Sequence, residues 1–240
     1  MSDPRLAIIP SRFDNVKRII AVSSGKGGVG KSMVAICLAL ALRNKGKIIG
    51  LLDLDFTSPS THVILGVEGL IPNEERGITP PVTYGLHYMS IVHYSINKPV
   101  PLRGADASNA IIELLAITRW ETLDYLIIDM PPGIGDATLD MIRLIPRIEF
   151  LVVTTPSRLA YESVRKLLVL LKDQKVPTIG VLENMTMEHT EFIETETRKS
   201  GARYVGRIDF DASVEASIGH PKELEKTKPF KQLQAIISSL

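Results

Sequence analysis

Three short blocks of residues could do phosphate chemistry. The first, Gly25-Lys26-Gly27-Gly28-Val29-Gly30-Lys31-Ser32, fits the pattern G-x-x-x-x-G-K-[ST]. Its glycines let the chain turn so tightly that several N–H groups aim at one anion. The N-terminus of a following helix adds its partial positive charge. In such a loop Lys31 reaches the β- and γ-phosphates of a nucleoside triphosphate, and the Ser32 hydroxyl holds Mg²⁺. Lys26 is a second lysine inside the loop, and it reads either as a solvated basic residue or as an ammonium placed on a triphosphate. Its position favours the second. The next block is Asp53-Leu54-Asp55, followed by Phe56-Thr57-Ser58-Pro59-Ser60. Two carboxylates two residues apart on a strand end point the same way and can serve one metal or water site. Asp55 could equally cap the next short helix, as could Ser58 or Ser60. The third block is Asp129-Met-Pro-Pro-Gly-Ile-Gly-Asp136. An aspartate at a strand end, meeting Mg²⁺ through water, is the Walker B arrangement. Gly133 and Gly135 would let the loop reshape when a γ-phosphate leaves, and Asp136 is expected to cap a helix beginning at Ala137.

Elements of the right kind stand around these blocks. Apolar runs predict strands at Arg18–Ser23, Ile48–Asp53, Leu86–Ile91, Tyr125–Asp129, Phe150–Thr154, Thr178–Leu182 and Tyr204–Ile208. Helical patterns fall at Lys31–Asn44, Ala107–Ile117, Ala137–Ile145, Tyr161–Asp173, Glu188–Ser200 and Phe230–Leu240. Strands of this kind alternating with helices indicate an α/β fold, a three-layer domain with a mostly parallel sheet covered on both faces. Ligands in such sheets bind at the carboxyl ends of the strands, where the phosphate loop, Asp53 and Asp129 all fall. Gly66–Pro81 is polar and reads as an excursion loop rather than a domain linker. Residues 1–240 therefore read as a single P-loop domain, with 1–16 as an N-terminal extension.

The string GKGGVGKS resembles the deviant Walker A group of ATPases, which includes the MinD, ParA, nitrogenase iron protein and Mrp families. That resemblance implies ATP and Mg²⁺ as cofactors. It also implies a homodimer that closes around ATP, with Lys26 crossing the interface to the partner's phosphates, the logic of an arginine finger. The block from Asp53 to Ser60 resembles the first switch of Mrp-type ATPases, which assigns Asp55 the attacking water and the metal shell. Pro-Pro-Gly-x-Gly-Asp after Asp129 resembles the second switch of the Mrp family in particular. The implied catalytic residues are Lys26, Lys31 and Asp55, and the implied Mg²⁺ residues are Ser32, Asp55 and Asp129, the aspartates through water. Nucleotide contacts fall to Gly25, Lys26, Gly27, Gly28, Val29, Gly30, Lys31, Ser32 and Asn184. In Glu183-Asn184-Met185 the resemblance gives Asn184 the adenine base; without it, an asparagine ending a strand is more often a turn residue. No Asn-Lys-x-Asp string is present, which favours ATP over GTP. Pro101-Leu102-Arg103-Gly104 lies near a Trp-Arg-Gly-Pro segment of Mrp proteins, with Arg103 open to a partner contact or a surface ion pair.

The pattern also breaks. Many Mrp-type members carry Cys-x-x-Cys shortly after the Asn-Met position and hold an iron–sulfur cluster between two subunits. This chain has no cysteine there, and its one cysteine is Cys37. Iron–sulfur clusters need thiolates, usually four. Arg207-Ile208-Asp209 stands where relatives commonly have Ile-Pro. The wording at Leu51–Gly66, Pro101–Trp120 and Asp124–Asp136 is also similar to an Mrp/MinD-type branch of the hydrogenase maturation factor HypB, which implies nickel insertion with a small metallochaperone. The histidines His62, His87, His93, His189 and His220 are scattered and read as surface or satisfied side chains.

Composition narrows the partners. The chain has 240 residues with 45% apolar, which excludes general disorder, and net charge +1, which gives no strong pull toward nucleic acid or membrane. A lone cysteine cannot form an internal disulfide and points to a cytoplasmic protein. Met1–Pro10 shows no signal peptide, and no apolar run is long enough to span a bilayer. The expectation is a dimeric ATP-hydrolysing switch that assists metallocentre assembly, of the nickel-hydrogenase or iron–sulfur carrier class, with a metalloprotein client or metallochaperone as partner. A MinD/ParA-like positioning ATPase is the main rival. Apolar spacing in Phe230–Leu240 could mark a membrane-surface helix, but with only Lys226, Lys228 and Lys231 nearby a helix packed on the sheet is favoured. A phosphotransferase with a small acceptor ranks last.

Overall fold

The computed structural model describes residues 3–95, 104–188 and 190–238. Arg103 and His189 lie outside them. The strands are β1 (Val16–Ser24), β2 (Ile49–Asp53), β3 (Asn73–Glu74), β4 (Ile78–Thr79), β5 (Val82–Thr83), β6 (Leu86–Ser90), β7 (Leu123–Asp129), β8 (Ile148–Thr154), β9 (Thr178–Thr186) and β10 (Tyr204–Asp209). Eight of them form one sheet in the order β10-β9-β8-β1-β7-β2-β6-β5. All neighbours pair in parallel except β5, which turns back antiparallel on β6 at one edge. β3 and β4 form a separate small hairpin inside the segment read as an excursion loop.

The helices are α1 (Pro4–Ile8), α2 (Lys31–Asn44), α3 (Thr61–Leu65), α4 (Val92–Ser95), α5 (Ala105–Ile117), α6 (Asp136–Leu144), α7 (Arg158–Asp173), α8 (Phe192–Lys199), α9 (Ser213–Ala216), α10 (Pro221–Leu224) and α11 (Lys228–Ile237). They cover both faces. Ile19 and Ala21 of β1 enter a core with Ile111 of α5, Met141 of α6 and Leu167 of α7. Ile20 and Val22, which alternate with them, enter a second core with Ile36 and Leu40 of α2 and Phe230 and Leu233 of α11. The period-two alternation of a strand thus feeds two cores from one run of apolar residues. Helix α2 is buried from Val34 to Leu42 without a polar face, because α11 and α3 pack on it beside the sheet.

Sequence expectations for the elements hold to within a few residues, with α2 at its predicted bounds. The helix expected at Glu188–Ser200 shortens to α8 because β9 runs on to Thr186. Asp136 is not a cap. It is the first residue of α6, with Gly135 in the capping position and no side-chain bond, so it contributes only its charge to the helix dipole. The N-terminal segment packs onto the domain: Ile9 and Phe13 are fully buried, and Arg12 Nε donates to the Ala116 carbonyl at 2.7 Å. What matters for chemistry is the register. Val22 and Asp53 both lie beside Asp129, so β1, β2 and β7 end together.

Candidate functional site

At that shared end the chain leaves β1 as Gly25–Gly30 and enters α2 at Lys31. Two glycines have physical reasons visible in the packing. A Cβ on Gly25 would lie 2.6 Å from the Ser163 carbonyl carbon and 2.7 Å from the Val164 nitrogen, so the loop's first glycine lets α7 press against it. Gly30 has φ +76° and would drive a Cβ into the Asn184 amide. Ser24 Oγ donates to the Lys26 carbonyl at 2.9 Å and pins the loop from below. Lys26, Gly27 and Gly28 are exposed, and Val29 is buried.

Lys31 turns inward. Its ammonium forms a buried ion pair with Asp129 Oδ1 and lies 3.2 Å from Ser32 Oγ. Burial raises the Asp129 pKa, and the Lys31 charge opposes that rise. Asp129 Oδ2 is buried and has no hydrogen-bond partner. Asp53, its neighbour across the sheet, is fully buried; its carboxylate accepts from the Asp55 N–H at 3.0 Å and from the Thr61 hydroxyl. Tyr88 shares that hydroxyl, with 2.8 Å between the oxygens. Burial, then the Asp129 charge, pushes the Asp53 carboxyl up to about 7. Asp55 does not cap α3. Its Oδ1 accepts from the Ser58 N–H at 3.0 Å, and Ser60 holds the capping position without a side-chain bond.

The phosphate loop borders a cavity of about 770 Å³, within the usual range for small-ligand pockets. Gly27–Ser32, Lys26, Asp55 and Asn184 all line it, while Asp129 stands behind Lys31, out of reach of the open space. Asn184 Nδ2 donates to the Val29 carbonyl at 2.9 Å, so part of its amide holds the phosphate loop in place. Met185, Asp209, Phe210 and Asp211 form part of the wall. Sequence reasoning missed Thr61, Tyr88, Met185 and Phe210. Met185 has φ +59°, a strained state for an unbranched apolar residue and one that no sequence signal announces. Phe210 follows directly on the Arg207-Ile208-Asp209 departure and is half exposed at the cavity mouth.

The donors suit a hard cation: the Ser32 hydroxyl and the carboxylates of Asp55 and Asp129, the second with one oxygen unsatisfied. No group of three or more His, Cys, Asp or Glu among the described residues could hold a metal ion alone. Mg²⁺ takes one or two protein carboxylates and fills its shell with waters and phosphates. Cys37 offers no thiolate. It is buried in α2, and desolvation pushes its thiol up to about 12.

The sequence model of the ParA family, described as NUBPL iron-transfer P-loop NTPase, matches residues 15–236. This chain belongs to the ParA family. Among curated relatives of this member, the iron-sulfur cluster carrier protein of Pseudomonas fragi is 42% identical over 177 residues, 72% of this chain and 62% of that protein. The protein of the same description from Escherichia coli is 42% identical over 178 residues, 73% of this chain and 48% of its own length. The chain thus spans less than two thirds of both. The iron-sulfur cluster carrier protein of Methanocaldococcus jannaschii is 35% identical over 253 residues, covering 98% of this chain and 87% of that one. Among solved structures, a nucleotide-binding protein from Archaeoglobus fulgidus in complex with ADP gives a TM-score of 0.78 at 29% identity, covering 95% of this chain and 96% of that one. The cell division ATPase MinD of Pyrococcus furiosus gives 0.66 at 22% identity over 93% and 99%, a shared fold. ParA-family membership accounts for the phosphate loop opening α2 and for the acidic residues ending β2 and β7. These are the parts from which P-loop NTPases build ATP hydrolysis.

Proposed function

We propose that this chain is an ATP-hydrolysing switch that closes as a homodimer and carries or hands on a metal centre. The observation that carries the reading is the division of labour between the two loop lysines. Lys31 is buried on Asp129, whereas Lys26 is exposed at the cavity and forms no ion pair with any described carboxylate. An ammonium held on a phosphate loop without a counter-charge is available to a second subunit's nucleotide.

Bound Mg–ATP supplies the scissile γ-phosphate and a cation that neutralises its charge. The backbone of Gly25–Ser32 and the Lys31 ammonium hold the phosphates. Ser32 would hold Mg²⁺, with Asp55 and Asp129 acting on it through water. Asp55, with one oxygen steadied by Ser58, faces the cavity and orients the attacking water. Asn184 keeps its carbonyl oxygen for the adenine amino group while its amide nitrogen holds Val29. Lys26 stabilises the developing charge from the partner subunit.

The relatives' description as iron-sulfur cluster carriers favours iron–sulfur chemistry for the cargo, and nickel insertion is the second possibility. Cargo ligands do not come from Cys37, so a cluster would need donors from a client or metallochaperone. Lys26→Ala tests the mechanism. It should still bind ATP but lose ATPase activity by about a thousandfold, as loss of an arginine finger does, and should no longer dimerise with ATP in sedimentation. A fully active monomeric variant would sink the cross-subunit role. A pull-down with Asp55→Asn then separates hydrogenase-maturation clients from cluster-assembly clients.

A further inference from the structure

Asp55, Ser58 and Ser60 line the nucleotide cavity, whereas Asp53, Thr61 and Tyr88 do not reach it and are fully buried. Yet one of these buried groups holds the cavity-lining segment at both ends. One Asp53 oxygen accepts from the Asp55 N–H at 3.0 Å. The other accepts from the Thr61 N–H at 3.4 Å and from the Thr61 hydroxyl. A hydroxyl has a single proton, and Thr61 spends it on Asp53, so the Tyr88 O–H donates to the Thr61 oxygen across 2.8 Å. Residues 55–60 are thus a loop closed on one carboxylate. That carboxylate is steadied by α3 through Thr61 and by β6 through Tyr88.

We propose that Thr61 is a positioning residue for ATP hydrolysis: through Asp53, and with Tyr88 behind it, it sets where the Asp55 carboxylate stands in the cavity. This rests on the reading above that Asp55 orients the attacking water. A carboxylate with two donors on one oxygen has little freedom to rotate, so its other oxygen fixes the Asp55 backbone. Asp55 Oδ1 then accepts from the Ser58 N–H at 3.0 Å, which carries the same constraint to the side chain. The anchor itself is firm. At the far end of α3 a Cβ on Gly66 would lie 2.2 Å from the Gly219 carbonyl oxygen, and the Gly219 N–H donates to the Ile64 carbonyl at 3.0 Å. Phe56 is buried in the core independently of these bonds. Removing the Thr61 hydroxyl therefore loosens the aim of Asp55 while the segment stays docked. Aim matters most in the transition state, where a displacement of about 1 Å costs on the order of 10²-fold. Phosphate binding, which belongs to residues 25–32, does not depend on it.

The test is steady-state hydrolysis of Mg–ATP by full-length chain, well below its melting temperature, with rates expressed per ADP-binding site so that unfolded chain does not count. Thr61→Val should lower kcat about tenfold or more, with KM and ADP affinity kept within about twofold, the pattern of an interaction made only in the transition state. Thr61→Ser restores the hydroxyl and should recover most of kcat. Tyr88→Phe leaves Asp53 its donor but frees Thr61 from β6. It should lower kcat about threefold at unchanged KM, and it decides the matter if Thr61→Val does not fold. Wild-type kcat in whichever of these two variants folds overturns the proposal. So does a serine variant no better than the valine one, or a raised KM with kcat kept. Asp55→Asn separates the two levels of the reading. If it is impaired while Thr61→Val is fully active, only the positioning role falls. If Asp55→Asn hydrolyses ATP at the wild-type rate, the role given to Asp55 falls and the positioning role with it.

Discussion

Lys31 and Asp129 bury a charged pair at the sheet's end, and several neighbours have their identities set by that choice. Gly30 must turn at φ +76° with the Asn184 amide pressed against it. Gly30→Ala should cost about 1–2 kcal/mol from the backbone conformation alone. Because Asn184 is pushed off the loop as well, ADP affinity in calorimetry should fall more than about tenfold, or about 1.4 kcal/mol. Unchanged affinity would mean that Asn184 does not shape the loop. Thr61 is a second case: its hydroxyl serves buried Asp53 and meets the Tyr88 oxygen. Thr61→Val keeps the shape but strips a buried carboxyl of its donor, and should lower unfolding stability by about 1–3 kcal/mol. Tyr88→Phe leaves the Thr61–Asp53 bond in place and should cost about 1 kcal/mol or less. Cys37 gives a chemical test. With its thiol pushed up to about 12, almost no thiolate exists at pH 8, so the native chain should resist a thiol reagent that labels the unfolded chain fully. Rapid labelling of native protein would show that α2 opens.

Among the elements, α11 carries much of the second core through Phe230, Leu233 and Ile237, all buried against α2 and β10. Phe230→Ala should cost about 3–5 kcal/mol, and the thermal midpoint should drop by roughly 10 °C for a chain of this size. A drop of only a degree or two would show the helix to be loosely docked. This helix was legible in advance, as were the parallel strands, because continuous apolar runs and helical spacing report burial directly. The phosphate loop and the acids at the ends of β2 and β7 were legible for a different reason, since their chemistry demands fixed spacings. Other features were not. The β3–β4 hairpin and β5 have two residues per strand, too few for an alternation to register. The role of Asp136 was misread because a glycine can hold the capping position without any side-chain bond. Thr61 and Tyr88 reach Asp53 only through tertiary packing.

At the scale of the whole molecule the question is which surface the switch works on. MinD and ParA structures share this fold, so architecture alone does not separate a carrier from a positioning ATPase. Charge and packing lead to different expectations for the two. The chain has net charge +1, which gives no long-range attraction to phosphate-rich surfaces. No helix among the described residues is long and apolar enough to cross a membrane. The apolar face of α11, the segment with the spacing of a membrane-surface helix, is spent on the core, and freeing it would uncover Phe230 and Leu233. Full-length chain should therefore stay in the supernatant when spun with anionic vesicles at about 0.15 M salt, with ATP or with ADP, and should not retard duplex DNA in a gel. If ATP alone brings it down with the vesicles, α11 must exchange its protein contacts for lipid on nucleotide binding. The Phe230→Ala variant would then pellet more readily than wild type, since it has less core packing to give up. The carrier reading requires neither behaviour, because the nucleotide-dependent surface it proposes is a partner subunit contacted by Lys26.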